Sequence, residues 1–151
     1  MTHTIGRYYQ YTPLLASGAQ PTESEIRLLK EDGFQAIVNI SPSSAGNFLH
    51  NEALVVEHLS MDYVHVPIDY NNLRPVYYHI FKGIMNGLKG KKVFVHCGGN
   101  IKSSNFLHMY DVLENNIDEV ESLKILRRIQ NPEEKWFVYF RMLGMKGISS
   151  I

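Results

Sequence analysis

Residues 93–106 (VFVHCGGNIKSSNF) contain the single cysteine of the chain, Cys97, in a setting that could activate a thiol. A β-branched and aromatic run ends at His96, a small glycine-containing loop follows Cys97, and a helical pattern begins near Ser103. Glycines let successive backbone N–H groups turn toward one point, and a helix N-terminus adds partial positive charge there. The same dipoles stabilise a thiolate. The sequence therefore predicts an anion-binding loop around a nucleophile.

A lone cysteine can also be a small apolar packing residue, and glycine-rich turns between a strand and a helix are common. The combination of Cys97, Gly98, Gly99 and Lys102 with a helix start in so short a segment favours chemistry. One thiol cannot form an internal disulfide, and it excludes CxxC redox chemistry and cysteine-cluster metal sites.

The segment resembles the signature loop of the cysteine-dependent protein phosphatases, in particular the dual-specificity type, whose pattern is H-C-x-x-G-x-x-R-[ST]. His96 and Cys97 match the first two positions, and Ser104 matches the hydroxyl after the arginine. The resemblance implies that Cys97 forms a cysteinyl-phosphate intermediate, that His96 orders the loop and that Ser104 assists the thiolate as leaving group. It implies phosphate binding by the loop positions His96, Gly98, Gly99, Asn100, Ile101, Lys102 and Ser103.

Two positions depart from that pattern, since Asn100 replaces its glycine and Ser103 its arginine. The arginine holds phosphate through two parallel hydrogen bonds, which a serine cannot make. Lys102 lies one position earlier, and the arrangement C-x-x-N-x-[RK]-x-S is similar to a divergent bacterial branch of phosphatase-like proteins. Membership of that branch implies Lys102 as the cation. Because lysine is a point charge, we expect weaker phosphate binding than with arginine.

The resemblance also implies a general acid, an aspartate on the loop after the preceding strand and some thirty residues before the cysteine. Asp69 lies 28 residues before Cys97 and follows the predicted strand at residues 63–67. Parallel strands would bring both loops to the same edge of the sheet. We therefore predict Asp69 as the acid that protonates the leaving oxygen. The alternative is a solvated aspartate that caps the next helix.

Strand and helix patterns alternate along the chain. Short β-branched or aromatic runs predict strands at residues 36–40, 63–67 and 93–96, and residues 14–16 add a candidate edge strand. The first predicted helix begins at a capping box of Thr22 and Glu25 and ends near Gly33. Further helices are predicted at 51–59, at 75–88, after the last strand, from a capping box of Asp118 and Glu121, and from Asn131 with Pro132 at the first position.

This order predicts an α/β fold of three layers, a mainly parallel central sheet flanked by helices, with the last three helices forming a C-terminal cluster. One domain over residues 1–151 fits the length of the chain. The layout agrees with that of the dual-specificity phosphatases over about residues 13–142.

The charge balance limits the partners. Fifteen Lys and Arg residues stand against fifteen Asp and Glu residues, which argues against a nucleic-acid or anionic-membrane binder. The histidines His50, His58, His79 and His108 share no metal-ligand spacing, so we expect neither metal nor cofactor. No apolar run reaches the length of a membrane span, and the first residues lack a signal-peptide pattern, so we expect a cytoplasmic protein.

Other candidates are weaker. Residues 41–47 (SPSSAGN) could line the same edge of the sheet, but a flexible loop is the favoured interpretation. His65 is interpreted as a hydrogen-bonded strand histidine rather than a ligand. Several tyrosines could stack on an aromatic substrate, but half-buried packing is the favoured interpretation. They are Tyr8, Tyr9, Tyr11, Tyr70, Tyr77 and Tyr78.

Three functions remain open from the sequence. The first is a phosphatase that acts on a phosphorylated small molecule or a phosphoprotein through Cys97. The second is a catalytically silent anion-binding module, which the absent arginine favours. The third is a rhodanese-like sulfurtransferase, whose loop places a cation five residues after the cysteine, as Lys102 does. Asp69 and Ser104 favour the first.

Overall fold

The computed structural model describes residues 3–149. Its elements, in chain order, are β1 (Tyr9–Thr12), β2 (Leu15–Gly18), α1 (Glu23–Glu31), β3 (Ala36–Asn39), α2 (Glu52–His58), β4 (Asp62–His65), α3 (Pro75–Gly87), β5 (Val93–His96), α4 (Ile101–Leu113), α5 (Glu119–Ile129) and α6 (Glu134–Met142). The strands form one sheet in the order β1-β2-β5-β3-β4. β1 runs antiparallel to β2, and the other neighbours are parallel.

The predicted three-layer α/β fold is confirmed. Side chains alternate across the sheet, so that Phe94 of β5 packs on the α1–α2 side while its neighbours Val93 and Val95 pack on the other. The α1–α2 side forms the smaller core. On the larger side, α3 to α6 enclose an aromatic core that includes Phe81, Phe106 and Trp136.

One strand prediction was wrong. The candidate edge strand at residues 14–16 is β2, which lies inside the sheet between β1 and β5. The edge on this side of the sheet is β1, which the sequence analysis missed because its side chains alternate for only four residues. Its alternating half-buried and exposed side chains are typical of an edge strand with one solvated face.

Two predicted helix starts also differ. α4 begins at Ile101 rather than near Ser103, because Asn100 adopts the left-handed conformation that precedes the helix. α6 begins at Glu134 with Glu133 as its N-cap, so Asn131 and Pro132 lie outside the helix. A residue before proline avoids the helical region, which keeps this connection extended. The capping box of Thr22 and Glu25 is confirmed, with both reciprocal hydrogen bonds present.

The four parallel strands end at one edge of the sheet. Cys97 follows β5, Ser41 closely follows β3, Asp69 lies on the loop after β4, and Gln20 follows β2. Ligand sites of open α/β sheets lie at this edge. No helix within residues 3–149 is long and apolar enough to cross a membrane.

His108, in the helix layer beside the sheet, is a titratable residue with a strongly lowered pKa. His108 of α4 is buried, its Nδ1 lies 2.7 Å from Ser122 Oγ of α5, and its ring contacts Phe140 of α6. Burial lowers the pKa of His108 from 6.5 to about 4, although the charge of Glu119 opposes this shift. The native state therefore favours the neutral imidazole.

We expect His108 to make the protein less stable in acid. Its pKa is lower in the folded state, so its contribution is complete above pH 6.5 and is lost as the pH falls toward 4. The loss from this group is about 3 kcal/mol across that window. Urea unfolding of the parent and of His108→Gln over this pH range measures the difference. The variant should show a flatter profile, and parallel profiles would contradict the assignment.

Candidate active site

Cys97 lies at a cavity of about 320 Å³ at the carboxyl edge of the sheet. It follows β5 directly, and only 2% of its surface is exposed. Three segments line the cavity: the loop after Cys97, the loop after β3 and the α5–α6 connection with the nearby Tyr70. The lining residues are Ser41, Pro42, Ala45, Tyr70, Cys97, Gly98, Gly99, Ile101, Lys102, Gln130, Asn131 and Glu133.

The carbonyl oxygens of the loop are held by groups outside the loop. Gly98 O accepts hydrogen bonds from Asn47 Nδ2 at 2.9 Å and from the Gln20 N–H at 3.1 Å. Gly99 O accepts from Arg7 Nη1 at 3.1 Å. In a planar trans peptide the N–H points away from the C=O of the same unit. The N–H groups of Gly99 and Asn100 therefore point away from these three partners.

The next peptide unit follows the same rule. Asn100 O accepts a hydrogen bond of 2.5 Å from Ser104 Oγ, which directs the N–H of Ile101 to the opposite side. Within residues 3–149, no hydrogen bond uses a backbone N–H of residues 98–103 as its donor. These unpaired donors include the first amides of α4, which carry the positive end of the helix dipole. The arrangement can bind an anion such as phosphate.

Asn100 explains how the loop turns without the glycine of the phosphatase pattern. Its φ of 61° and ψ of 24° are left-handed, a conformation that asparagine tolerates better than most residues. Its Nδ2 donates to Arg7 O at 2.8 Å and to Ser17 Oγ at 2.9 Å. The side chain thus attaches the turn to the segment before β1 and to β2.

His96 is fully buried beneath the loop. Its Nδ1 donates to Cys97 O at 3.2 Å, and its Nε2 lies 2.6 Å from Glu52 Oε2. Gln20 Nε2 donates to the other oxygen of Glu52 at 2.5 Å. Both ring nitrogens of His96 and both carboxylate oxygens of Glu52 therefore have hydrogen-bond partners, and the pair connects the loop to α2.

Glu52 was missed by the sequence analysis. It stands in the first turn of α2, where a glutamate is usually exposed and interacts with the helix dipole, yet it is buried here. A signal was present in the sequence, because a histidine beside the nucleophile needs a partner when it is buried. The pattern could not say which acidic residue that partner would be.

Lys102 joins the loop to the segment that contains Asp69. Only 7% of its surface is exposed, and its Nζ donates to Ile68 O at 2.6 Å. Burial lowers the pKa of Lys102, while the negative charges of Cys97 and Asp69 oppose that shift. A cation with a single carbonyl partner at the wall of the cavity can be drawn to an anion bound there.

Asp69 is exposed on the loop after β4 and lies outside the cavity lining. Its Oδ1 accepts a hydrogen bond of 2.8 Å from the Asn71 N–H, which closes a local turn. It does not cap the following helix, because α3 begins at Pro75 with Arg74 as its N-cap. The preceding residue is Ile68, whose carbonyl oxygen accepts the hydrogen bond from Lys102 Nζ.

The two serines of the loop differ from the phosphatase pattern in their contacts. Ser104 Oγ donates to Asn100 O and accepts from Gln130 Nε2 at 3.2 Å, so its hydrogen faces a loop carbonyl rather than the sulfur of Cys97. Ser103, at the arginine position, is buried, and its Oγ has no hydrogen-bond partner in the described part of the chain. Neither serine lines the cavity, so the assisting role of Ser104 stays a prediction.

Tyr70 lines the cavity and is half-buried, whereas the sequence favoured packing over substrate stacking for this tyrosine. The hydroxyl of Tyr70 donates to the carboxylate of Glu133. Lys135 Nζ lies 3.2 Å from the centre of the Tyr70 ring and donates to Tyr70 O at 3.0 Å. These contacts fix one aromatic face beside the cavity. Glu133 and Lys135 directly follow the predicted helix start at residues 131–132, and their charged side chains gave no signal of a site.

The loop after β3 contributes directly to the site. Ser41, Pro42 and Ala45 line the cavity, and Asn47 holds Gly98 O. His65 donates to Ser41 O at 2.6 Å, which confirms the prediction of a hydrogen-bonded strand histidine. No cluster of three His, Cys, Asp or Glu side chains that could hold a metal ion occurs among the described residues.

Neither the known protein-family models nor the curated proteins include a match to this chain. Solved structures do match. A DUF442 protein from Shewanella putrefaciens CN-32, named as a candidate phosphatase, is 28% identical with a TM-score of 0.80, covering 93% of this chain and 90% of its own. The fold is that of the cysteine-dependent phosphatases. The resemblance predicted from the loop is thereby confirmed.

Two further phosphatases have this fold at lower identity. TpbA of P. aeruginosa, solved with phosphotyrosine, has a TM-score of 0.70 and 14% identity, covering 93% of this chain and 85% of its own. PTPMT1, solved with PI(5)P, has a TM-score of 0.75 and 14% identity, covering 90% and 93%. At this identity the likeness concerns the fold alone.

We expect Lys102 to be required for tight oxyanion binding. Lys102→Met keeps the length of the buried stem but removes the charge, and it should weaken vanadate binding by about 10–100-fold, the range of a charged hydrogen bond. Lys102→Arg should retain most of the affinity. Isothermal titration with vanadate measures both. Parent-like affinity in Lys102→Met would mean that the loop amides suffice without the cation.

Proposed function

We propose that this protein hydrolyses phosphate monoesters through a cysteinyl-phosphate intermediate on Cys97. The observation that carries the proposal is the set of unpaired amides of residues 98–103 beside a buried thiol in a cavity. Amides fixed in this way stabilise the negative charge of a transferring phosphoryl group without reorganising during the reaction. A packing cysteine would have no need of such a loop.

In the first step the Cys97 thiolate attacks phosphorus, an S–P bond forms, and the ester P–O bond breaks. The leaving oxygen takes a proton from Asp69. In the second step water attacks phosphorus, Asp69 takes a proton from the water, and the S–P bond breaks to return the thiolate and inorganic phosphate. Lys102 and the loop amides neutralise the phosphoryl oxygens throughout.

The position of Asp69 supports its role as the acid. Its loop is attached to α4 through the hydrogen bond from Lys102 to Ile68 O. A phosphate drawn to Lys102 would therefore bind beside the segment that contains the acid. Asp69 stands outside the cavity lining, so this role requires its loop to move toward a bound substrate.

The substrate would be a phosphorylated small molecule or a phosphoprotein. The phosphotyrosine of TpbA and the PI(5)P of PTPMT1 are both phosphate esters, which is consistent with this class. A single unpaired thiol stays reduced most readily in a reducing compartment, so we place the protein in the cytoplasm as part of the proposal.

One observation favours the second candidate, a silent anion-binding module. The arginine position holds Ser103, and the hydrogen of Ser104 is bonded to Asn100 O. Such a module would bind vanadate and turn over no ester. Sulfur transfer from thiosulfate to cyanide, without ester hydrolysis, would indicate a sulfurtransferase.

We expect Asp69→Asn to discriminate between leaving groups. An alkyl phosphate needs a proton on its leaving oxygen, so its hydrolysis should slow by about 10²–10⁴-fold, whereas an aryl phosphate with an acidic phenol should slow far less. Initial rates on both substrates measure this. Equal losses would show that Asp69 only shapes its loop, and no loss would exclude it as the acid.

Two further variants accompany this test. One changes an aspartate on β4, the strand before Asp69, and the other changes Cys97 itself. Asp62→Asn changes an exposed aspartate at the other end of β4, which pairs with exposed Lys91, and should leave both rates unchanged. Cys97→Ser should abolish turnover and still bind vanadate through the loop amides. Persistent turnover in Cys97→Ser would refute the cysteinyl-phosphate route.

A further inference from the structure

Arg7 has an unusual backbone for its residue type. Its φ is 49°, in the left-handed region that a side chain with a Cβ disfavours. Strained residues of this kind concentrate where the surrounding structure needs a particular geometry. Asn100, with a φ of 61°, is in the same region and contacts Arg7 directly. Two left-handed residues, far apart in the sequence, therefore meet behind the anion-binding loop.

The conformation of Arg7 is held by the structure around it. Arg7 O accepts a hydrogen bond of 2.8 Å from Asn100 Nδ2, and the preceding carbonyl, Gly6 O, accepts one of 2.8 Å from the Ala19 N–H. Ile5 is buried so closely against Gly18 that a Cβ there would lie 2.8 Å from Ile5 Cγ2. The segment before β1 is thus seated on the end of β2.

The side chain of Arg7 then reaches the loop. Its Nη1 donates to Gly99 O at 3.1 Å, although the residue is exposed and could extend into water. No acidic side chain pairs with it among the salt bridges of residues 3–149. No carboxylate of these ion pairs therefore offsets the positive charge of the guanidinium beside the Gly99–Asn100 peptide.

This contact acts on the amide that faces the anion. The C=O of Gly99 and the N–H of Asn100 belong to one planar unit, so holding the oxygen fixes the direction of the N–H. The positive charge of Arg7 next to this oxygen also polarises the peptide unit and makes its N–H a stronger hydrogen-bond donor. The loop lacks the arginine that would otherwise hold the phosphate from the cavity side.

We propose that Arg7 is a positioning residue for oxyanion binding, acting through the Gly99–Asn100 peptide from behind the loop. The inference rests on the proposed function only in taking the loop as the phosphate site. It requires no hydrolysis, because it concerns the affinity of the loop for an oxyanion.

Arg7→Gly tests the proposal because glycine favours the left-handed backbone and should not unfold the segment. We expect an unchanged melting temperature and a roughly tenfold higher dissociation constant for vanadate, as for a lost charged hydrogen bond. Millimolar guanidinium chloride should restore affinity in Arg7→Gly, whereas sodium chloride at the same ionic strength should not. A purely structural role would show no such rescue.

Ser60→Gly is the matched control, since Ser60 is exposed, has a φ of 60° and lies at the end of α2 away from the cavity. It should bind vanadate like the parent. Parent-like binding in Arg7→Gly, or weaker binding that guanidinium does not restore, would overturn the proposal for Arg7. Weaker binding with rescue in a protein that hydrolyses no ester would support Arg7 and refute the phosphatase function. A parent that binds no vanadate would refute both.

Discussion

The N–H groups after Cys97 can face an anion only because the carbonyl oxygens between them are held elsewhere. A short peptide of this sequence would rotate its peptide units and pair donors with acceptors or with water. Here Asn47 and the Gln20 backbone both hold Gly98 O, while Arg7 holds Gly99 O. Ser104 holds Asn100 O. The chemistry proposed for Cys97 depends on this set of contacts as much as on the thiol.

The cation of this loop is Lys102, one position before the arginine of the phosphatase pattern, and this changes how the loop is connected to its neighbours. An arginine fork would bind two phosphoryl oxygens with fixed geometry, whereas Lys102 is a single charge on a flexible stem. Its amine is bonded to Ile68 O, so one side chain links α4 to the loop of Asp69. A bound phosphate and Ile68 O would compete for this amine or share it, which makes the position of the loop that contains Asp69 sensitive to occupancy of the site.

The features that could be predicted from the sequence are those that depend on residues close together along the chain. β5, the glycine turn and the helix after it were found because Val93, Cys97, Gly98 and Gly99 carry their structural preferences in one short segment. The order of the strands placed Asp69 on the loop after β4, at the same edge of the sheet as Cys97. The layers followed from the alternation of strands and helices.

The remainder depends on contacts between distant residues. Glu52, Arg7 and Asn47 are ordinary surface types in ordinary sequence contexts, and only the folded chain shows that they hold His96 and the loop. β1 was missed because its side chains alternate for only four residues. α6 started later than predicted because Asn131 and Pro132 continue an extended connection that forms part of the cavity wall.

The sequence separation between the loop and the side chains that bond its carbonyl oxygens bears on how the protein folds during synthesis. Arg7 precedes Gly99 by 92 residues, and Asn47 precedes Gly98 by 51 residues. During synthesis from the N-terminus, these side chains leave the ribosome well before the loop, and β2 and β3 await β5 as the central strand between them. The last parallel strand to emerge completes the sheet and delivers the cysteine loop to partners that already exist. Long-range closure of this kind is slow, so the loop should acquire its anion-binding geometry as a late event, together with the cooperative completion of the fold.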